Sequence, residues 1–593
     1  MRVLRDATNV GIGTLVSHLE NHFRMIDLTP YLRGTRIAYF SMEVGLRPEI
    51  HTYSGGLGIL AGDAARSAAD LGLPMVFVTL ASRSGYLHQD IDAKGNQVDS
   101  PDPWNPADFT HPAGVMVSVV IEGRTVWIRP WLYELKSPLG RQVPIILLDT
   151  DVSENEPADR SITDRLYGGD EPNRIRQEIV LGIGGERVLQ ALGFTISTYH
   201  LNEGHAAFLA LSLLLRYRRE LVPAGNESLT HAIARVREQC VFTTHTPVEA
   251  GHDRFDYQNV RKILGDIIRL EQLKQLAGAD RLNMTHLALS LSGYVNGVAV
   301  RHAQTAQNMF PGHRVRAITN GAHIPTWMHP KIAAVVQQRL PEWAREPVSL
   351  VRSDEVSGDL LWSAHQEAKG ELIAEIGRLT GVEMRPDVLL IGLARRMTGY
   401  KRPDLLFSDL QRLLAINARR PFQIVMAGKA HPRDLEGKKL IQMIHACMRK
   451  AKPIAAAFLP NYHMGLAAKL VAGSDVWLNS PLPPYEASGT SGMKAAFNGV
   501  LNLSVLDGWW VEGWEEGVTG WAIGNDTDPD ASAHAAELYS KLEGTVLPLY
   551  YLDRSRWIWM MKQAIGKIGS VFNSQRMMRR YTTEAYVSTM TGL

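Results

Sequence analysis

A chain of 593 residues with 45% hydrophobic and 21% charged side chains and a formal charge of +2 has the composition of a soluble globular protein too long for one core. No basic excess points to nucleic acid, no stretch reaches about 18 uninterrupted apolar residues, and the first residues lack the apolar core of a signal peptide. Cys240 and Cys447 lie far apart in apolar surroundings, so buried free thiols, no metal site and a reducing, cytoplasmic compartment are expected.

In chain order, Gly13 to Met25 has the spacing of an amphipathic helix, and a first strand is expected at Arg36 to Phe40. S-G-G-L-G-I-L-A-G-D at Ser54 to Asp63 reads as a glycine loop feeding a helix from Ala61 to Leu71. Alone, such a cluster is more often a tight strand-to-helix turn than an anion site. Apolar runs recur at Pro74 to Leu80, Val115 to Ile121, Thr125 to Trp131 and Val143 to Leu148. With helices between several of them, they predict a mostly parallel sheet covered on both faces.

Ser197 to Leu201 makes another strand, followed by a buried helix that starts at Asn202. His200 and His205 lack a metal spacing and read as hydrogen-bonding site or core histidines. The strand Cys240 to Thr243 ends in T-H-T-P-V-E-A-G-H at Thr244 to His252. A polar run at the carboxyl end of a buried strand is where open α/β sheets place ligand groups. Spacing alone leaves His245 equally a loop histidine. Charged helix dominates from about Pro347 to Pro386, and a new sheet begins at Asp387, with strands at Val388 to Ala394, Gln423 to Met426, Ala455 to Phe458, Val476 to Leu478 and Leu501 to Leu506. Leu547 to Leu593 is helical and rich in Tyr, Trp and Met. The expected fold class is α/β, with two doubly wound, Rossmann-like domains facing a cleft: 1–350, a helical linker at 351–386, a second domain at 387–546, and terminal helices at 547–593.

Two stretches carry chemistry. The strand Val388 to Ala394 runs into R-R-M-T-G-Y-K-R-P-D at Arg395 to Asp404. Adjacent arginines on an extended backbone point in different directions, so Arg395 and Arg396 can address two anions, and Lys401 adds a point charge. Without the preceding strand this would read as a solvated basic face. The second stretch, Y-E-A-S-G-T-S-G-M-K at Tyr485 to Lys494, reads as strand, turn and helix. Gly489 and Gly492 allow a tight turn, while Ser488, Thr490 and Ser491 offer hydroxyls and a cap. A turn that opens a helix suits a phosphate. Lys494, flanked by Met493, Ala495, Ala496 and Phe497, loses hydration, so its free amine becomes available to an aldehyde. An anion cradle and an activated lysine on one segment suggest pyridoxal 5'-phosphate. The plain alternative is a solvated helix lysine.

The segment E-A-S-G-T-S-G-M-K, continuing into N-G-V-L-N-L-S-V-L-D-G at Asn498 to Gly508, resembles the cofactor motif of the α-glucan (glycogen, starch, maltodextrin) phosphorylases. V-N-G-V-A at Val295 to Ala299, I-T-N-G-A-H at Ile318 to His323, G-K-A at Gly428 to Ala430 and F-L-P-N-Y at Phe458 to Tyr462 are similar to that family too. The resemblance implies a glycosyltransferase-B type architecture whose final helix crosses back to the first domain. It implies reversible phosphorolysis of a terminal α-1,4 glucosyl unit to glucose 1-phosphate with retention. Pyridoxal 5'-phosphate would be carried by Lys494, its phosphate held by the Gly489 and Thr490 amides and neutralised by Arg395, with Tyr462 in the cofactor pocket. Arg396 and Lys401 would hold inorganic phosphate, towards which Gly55, Gly56, Leu57 and Gly58 present amides. His245, Asn320, Glu486, Ala487, Ser488 and Gly489 would contact the sugar. The implied partners are an α-1,4-glucan or maltodextrin, inorganic phosphate, glucose 1-phosphate and a second copy of the chain, with neither nucleic acid nor membrane.

The chain departs from the family at three places. Arg395 stands where lysine is usual, Thr398 and Gly399 where His-Glu is usual, and S-M-E-V-G-L at Ser41 to Leu46 lacks an aromatic expected near the cofactor ring. The long N-terminal regulatory region of the animal enzymes is expected to be absent, and with it AMP control. No clear pair of carboxylates about 5 Å apart, as retaining glycosidases use, stands out among the motifs. Two other readings stay open: a nucleotide-sugar-dependent glucan glycosyltransferase that uses the basic block for a diphosphate, and a catalytically silent glucan-binding homologue.

Overall fold

A computed structural model describes residues 28–220, 227–525 and 530–587, so the helix expected over Gly13 to Met25 lies outside the described residues. The chain is mixed α/β, built on a ten-stranded and a six-stranded sheet. The six-stranded sheet is parallel throughout, in the order Ala456–Leu459, Phe422–Ala427, Leu389–Ala394, Val476–Asn479, Leu501–Val505, Gly520–Ile523. Numbered along the chain from Leu389 this is 3-2-1-4-5-6, and the order reverses between Leu389–Ala394 and Val476–Asn479. Loops leaving the carboxyl ends of those two strands diverge and leave a crevice. Arg395 and the Tyr485–Lys494 turn both emerge there. The last strand, Gly520–Ile523, was not anticipated, because its four residues lie within a Gly- and Trp-rich stretch without alternation.

In the ten-stranded sheet the strand Ile37–Ser41 pairs in parallel with Met75–Leu80 on one side and Thr198–Asn202 on the other. The order reverses here as well, between Ser41 and Asn202. Beyond Thr198–Asn202 lie Cys240–Thr243, Tyr294–Gly297 and Arg316–Ala317, all parallel. The opposite wing differs from the sequence expectation. Val117–Ile121, Arg124–Lys136 and Gln142–Asp149 are joined antiparallel, with no α-helix between Leu71 and Pro157 among the described residues. The connections are too short for a parallel crossover. Glu122 and Gly123, at φ 52° and 75°, make a two-residue turn whose left-handed pair matches strand twist.

The alternation along Ile37–Ser41 divides the first core in two. Ala38 and Phe40 pack with Val76, Val78, Leu181 and Phe208 on one face. Ile37 and Tyr39 pack with Phe77, Ala64, Ala68, Met578 and Tyr586 on the other. The terminal helices therefore cover the face that the helix Gly56–Leu71 shares. Ser574 Oγ meets Ser67 Oγ at 2.6 Å, and the Tyr586 hydroxyl meets His200 Nδ1 at 2.7 Å. His200 is a core histidine, with Thr243 Oγ1 on its other nitrogen at 2.9 Å.

Helix starts differ from expectation in both directions. The Gly56–Leu71 helix begins five residues before Ala61, and Ala207–Glu220 begins five residues after Asn202. Asn202 closes its strand, and Glu203 takes φ 73° in the turn. The helix Gly358–Thr380 is tied to the second sheet by a buried ion cluster. Lys369 Nζ donates to an Asp475 carboxylate oxygen at 2.6 Å, and His365 sits on the other oxygen at 2.9 Å. Cys240 is buried, and Cys447 is only half-buried. No helix among the described residues is long and apolar enough to cross a membrane.

Candidate active site

The Tyr485–Lys494 turn leaves the strand Val476–Asn479 and re-enters helix at Ser491–Ala496. Gly489 has φ 77°, a left-handed conformation that costs an L-residue roughly 1–2 kcal/mol. Gly492 is required by packing, since a Cβ there would run into Asn502 Oδ1 and the Trp509 ring. Thr490 precedes the helix but makes no side-chain cap, so the helix opening is left to a ligand or water. The Gly489 and Thr490 amides donate to nothing among the described residues.

Lys494 is 7% exposed, and its Nζ lies 4.1 Å from the centre of the Trp327 ring, with no hydrogen bond or ion pair among the described residues. Loss of hydration pulls its pKa down to about 8, Asp63 opposing and Arg66 adding to the fall. Asn498, one turn on, fixes this pair. Its amide donates to the Lys494 and Trp327 carbonyls at 3.0 and 2.8 Å, and its carbonyl accepts from the His329 amide at 2.7 Å. Sequence reading met Asn498 only as the start of the run to Gly508, with no role assigned, and passed over Trp327, which lies in no motif.

The two arginines after Ala394 diverge. Arg395 is drawn into the second sheet, where it donates to the Lys401 carbonyl at 2.5 Å and to Asn479 Oδ1. Arg396 points to the opposite sheet; its Nη2 sits 3.2 Å from where a Cβ of Gly55 would stand. Dense protein surrounds Arg396, yet it stays solvent-accessible, as befits the wall of a deep crevice. Lys401 does not stand open: its Nζ donates to both Glu486 oxygens at 2.6 and 2.5 Å. Burial alone would raise the Glu486 pKa, but Lys401 and Arg395 outweigh it and hold the carboxyl below its usual value. Two residues expected to hold different ligands are thus paired with each other. Arg402, at φ 43°, braces the block by donating to the Ser480 and Pro481 carbonyls.

Across the crevice, Glu43 organises the glycine segment. Its carboxylate accepts from the Ser54 amide at 2.6 Å, the Gly55 amide at 3.2 Å and the Tyr167 hydroxyl at 2.8 Å. The Gly55 amide is therefore engaged by the protein, and the amides left at the helix opening are those of Gly56, Leu57 and Gly58 in its first turn. Gly58 has no room for a side chain beside Glu43 and Tyr53. Sequence reading noted Ser41 to Leu46 only for its missing aromatic and overlooked Glu43, whose position after a buried strand was the available signal. At the reversal of the first sheet, His245 donates its backbone N–H to Glu203 Oε2 at 2.7 Å and sets Nε2 2.7 Å from Asn202 Oδ1. Burial, with His302, His200 and His205 adding, lowers its pKa to about 3, so the ring is neutral.

Buried polar atoms without partners mark where a ligand would fit. Among them are Asn320 Oδ1, Ser488 Oγ and Thr398 Oγ1, the last at a position where the chain departs from expectation. Ala487 lies in the same turn as Ser488. The donor set fits the group implied by the sequence: an unpaired amine over an aromatic ring, free amides at Gly489 and Thr490, and an arginine at the adjacent strand end. Tyr462 lines a cavity of about 530 Å³ whose lining residues include neither Lys494, Arg396 nor Lys401. The side chains carrying the chemistry locate this site.

Residues 226–523 match the family described as carbohydrate phosphorylase. The chain is 40% identical to the maltodextrin phosphorylase of Thermococcus litoralis, over 93% of this chain and 70% of that protein. It is 38% identical to the glycogen phosphorylase of Mycobacterium tuberculosis, over 93% and 71% of the two chains. With the glycogen phosphorylase of Aquifex aeolicus it shares 36% identity over 93% of this chain and 86% of the other. On the match of half its length and these similarities across both sheets, the chain belongs to the carbohydrate phosphorylase family.

Proposed function

We propose that the chain is an α-1,4-glucan phosphorylase that cleaves a terminal glucosyl unit of a glucan or maltodextrin with inorganic phosphate, releasing glucose 1-phosphate with retained configuration. The proposed architecture is of glycosyltransferase-B type, with doubly wound domains at 1–350 and 387–546, a linker at 351–386 and closing helices at 547–593. One observation carries the reading: a buried, unpaired Lys494 amine shares a turn with free amides, beside an arginine pair at a sheet's reversal point. The names of the relatives, maltodextrin and glycogen phosphorylases, support the substrate class.

In this reading Lys494 holds the aldehyde of pyridoxal 5'-phosphate, and Gly489, Thr490 and Arg395 hold its phosphate. Bound there, the cofactor supplies an ionisable phosphate beside the substrate anion. Inorganic phosphate enters between Arg396 and the first turn of the Gly56–Leu71 helix. Arg396 and the helix N-terminus neutralise it, and Lys401 turns from Glu486 to share the load. A proton passes from inorganic phosphate to the glycosidic oxygen as the anomeric C–O bond breaks. A phosphate oxygen then bonds to the anomeric carbon on the same face. His245, Asn320 Oδ1, Ser488 Oγ and the freed Glu486 carboxylate bind glucosyl hydroxyls, with the Ala487 and Gly489 backbone beside them. Hydrolysis by a carboxylate pair is disfavoured, since Glu43, Glu203 and Glu486 each already accept from the protein.

Borohydride reduction of the purified protein, followed by peptide mapping, should leave a pyridoxyl group on Lys494. A protein that turns over glucan with no such label contradicts the reading. Turnover of ADP-glucose or UDP-glucose without the label would favour a nucleotide-sugar transferase instead.

A further inference from the structure

The helix Gly56–Leu71 buries two carboxylates, Asp63 and Asp70, on one face, and both hold the run from His323 to Trp327. Asp70 Oδ2 meets the His323 ring at Nε2, 2.8 Å away. Asp63 Oδ2 accepts from the His323 backbone N–H at 3.2 Å and from Trp327 Nε1 at 2.8 Å. Trp327 is therefore held twice, its indole by this helix and its carbonyl by Asn498, one turn past Lys494. Two neutral N–H groups do not require a charged acceptor, since an amide oxygen in the same place would satisfy them. A carboxylate that is 1% exposed costs more to bury than those two bonds return, unless a cation matches it. Arg66 Nη1 comes only to 3.4 Å from Asp63 Oδ1, longer than a charge-assisted bond, and its Nη2 is turned to the Leu46 carbonyl. The match is loose. The field left over reaches the Lys494 amine, which rests on the face of the same indole at 4.1 Å. Burial, the largest influence on that amine, favours its neutral form; Asp63 opposes this and Arg66 adds to it. From the facing segment Trp327 brings no charge, and His323 turns its ring to Asp70.

We propose that Asp63 is a positioning residue for the cofactor lysine: it fixes the Trp327 face on which the Lys494 amine rests and, with Arg66 as its counterweight, governs how readily that amine condenses with an aldehyde. In the condensation the ammonium first loses a proton to solvent, and the nitrogen lone pair bonds to the aldehyde carbon. The carbonyl oxygen then leaves as water with the two remaining amine hydrogens, so one C=N bond replaces one C=O bond. Asp63 takes no part in these bond changes; it sets the share of amine that is neutral. The identity of the aldehyde rests on the cofactor reading above.

The test follows uptake of pyridoxal 5'-phosphate by the full-length chain prepared without cofactor, read as the initial rate of borohydride-fixed label on Lys494 from about pH 6 to about pH 10. In the wild type the rate should rise with pH through the amine's range and then level off. Asp63→Asn keeps an acceptor oxygen and removes the charge, so the rise should move down by about one pH unit with the upper plateau unchanged. Uptake at neutral pH is then several-fold faster. Arg66→Gln unmasks Asp63 and should move the rise up, and it decides alone if Asp63→Asn fails to fold. A rise that stays in place in the variants, or a rate lowered alike at every pH, makes Asp63 a plain packing partner and overturns the proposal, while label on Lys494 leaves the cofactor reading standing. No label on wild-type Lys494 overturns both.

Discussion

In the proposed reading a single amine sets the chemistry of the crevice, and its burial has a consequence in the cofactor-free protein. Lys494 titrates near 8 in the fold against 10.5 for an ordinary lysine, because the charged form is poorly hydrated beside Trp327. Between those values the unfolded chain holds the proton and the folded chain does not, so stability rises with pH across the window. The rise attributable to this group is about 3 kcal/mol. Denaturant titrations of cofactor-free wild type and Lys494→Met at pH 7.5 and pH 10 should show the variant more stable at the lower pH and the two converging at the higher. The reverse ordering would mean that the amine is hydrated. The Lys401–Glu486 pair predicts a split effect. On the proposed roles, Glu486→Gln would release Lys401 to the phosphate and remove a charged acceptor for the sugar. The KM for phosphate should fall several-fold while kcat drops by about a hundredfold. A rise in the phosphate KM would show that Glu486 orients Lys401 rather than restraining it.

Among the elements, the buried Lys369–Asp475 pair fixes where the helix Gly358–Thr380 meets the second sheet. Burial would raise the Asp475 pKa, but Lys369 and His365 hold it below the usual value. Its contribution to stability is therefore present at neutral pH and is lost as pH falls through the acidic range. Lys369→Met leaves the carboxylate buried with only His365 and the Leu390 amide. It should cost about 3–5 kcal/mol in urea unfolding at pH 7 and less at pH 4, where protonation relieves the orphaned charge. An equal loss at both pH values would contradict this assignment. The elements also differ in how far they could be read in advance. Buried parallel strands such as Leu389–Ala394 and Phe422–Ala427 were legible as continuous apolar runs, and the turn chemistry of Gly489 and Gly492 was legible in their spacing. The antiparallel wing was not, because an apolar run of that length reads alike in either orientation, and only the shortness of Glu122–Gly123 tells them apart. The pairing of Lys401 with Glu486 was invisible for another reason: 85 residues separate them, and they meet only through the strand order of the folded sheet.

At the scale of the whole molecule, two ties on separate elements hold the sheets in register across the crevice. One is the hairpin His88–Ile91 and Gln97–Ser100, whose Gln89 and Gln97 amides donate to the Gly428 and Ala430 carbonyls at 2.8 and 2.9 Å. The other is the terminal helical run, with Tyr586 on His200 and Tyr581 on Asn296. Held in this way, Arg396 from one sheet faces Gly55 from the other across a crevice that is still open to solvent at Arg396, so bound glucan and phosphate must exclude water there during turnover. Phosphorolysis requires that exclusion, because water at the glucosyl centre would give glucose instead. The most direct measurement is a parallel assay of glucose 1-phosphate and glucose released from maltodextrin, with inorganic phosphate varied from zero to saturation. The account predicts glucose 1-phosphate as the product, in proportion to phosphate occupancy, with no turnover at zero phosphate. Free glucose released at a rate indifferent to phosphate would contradict it.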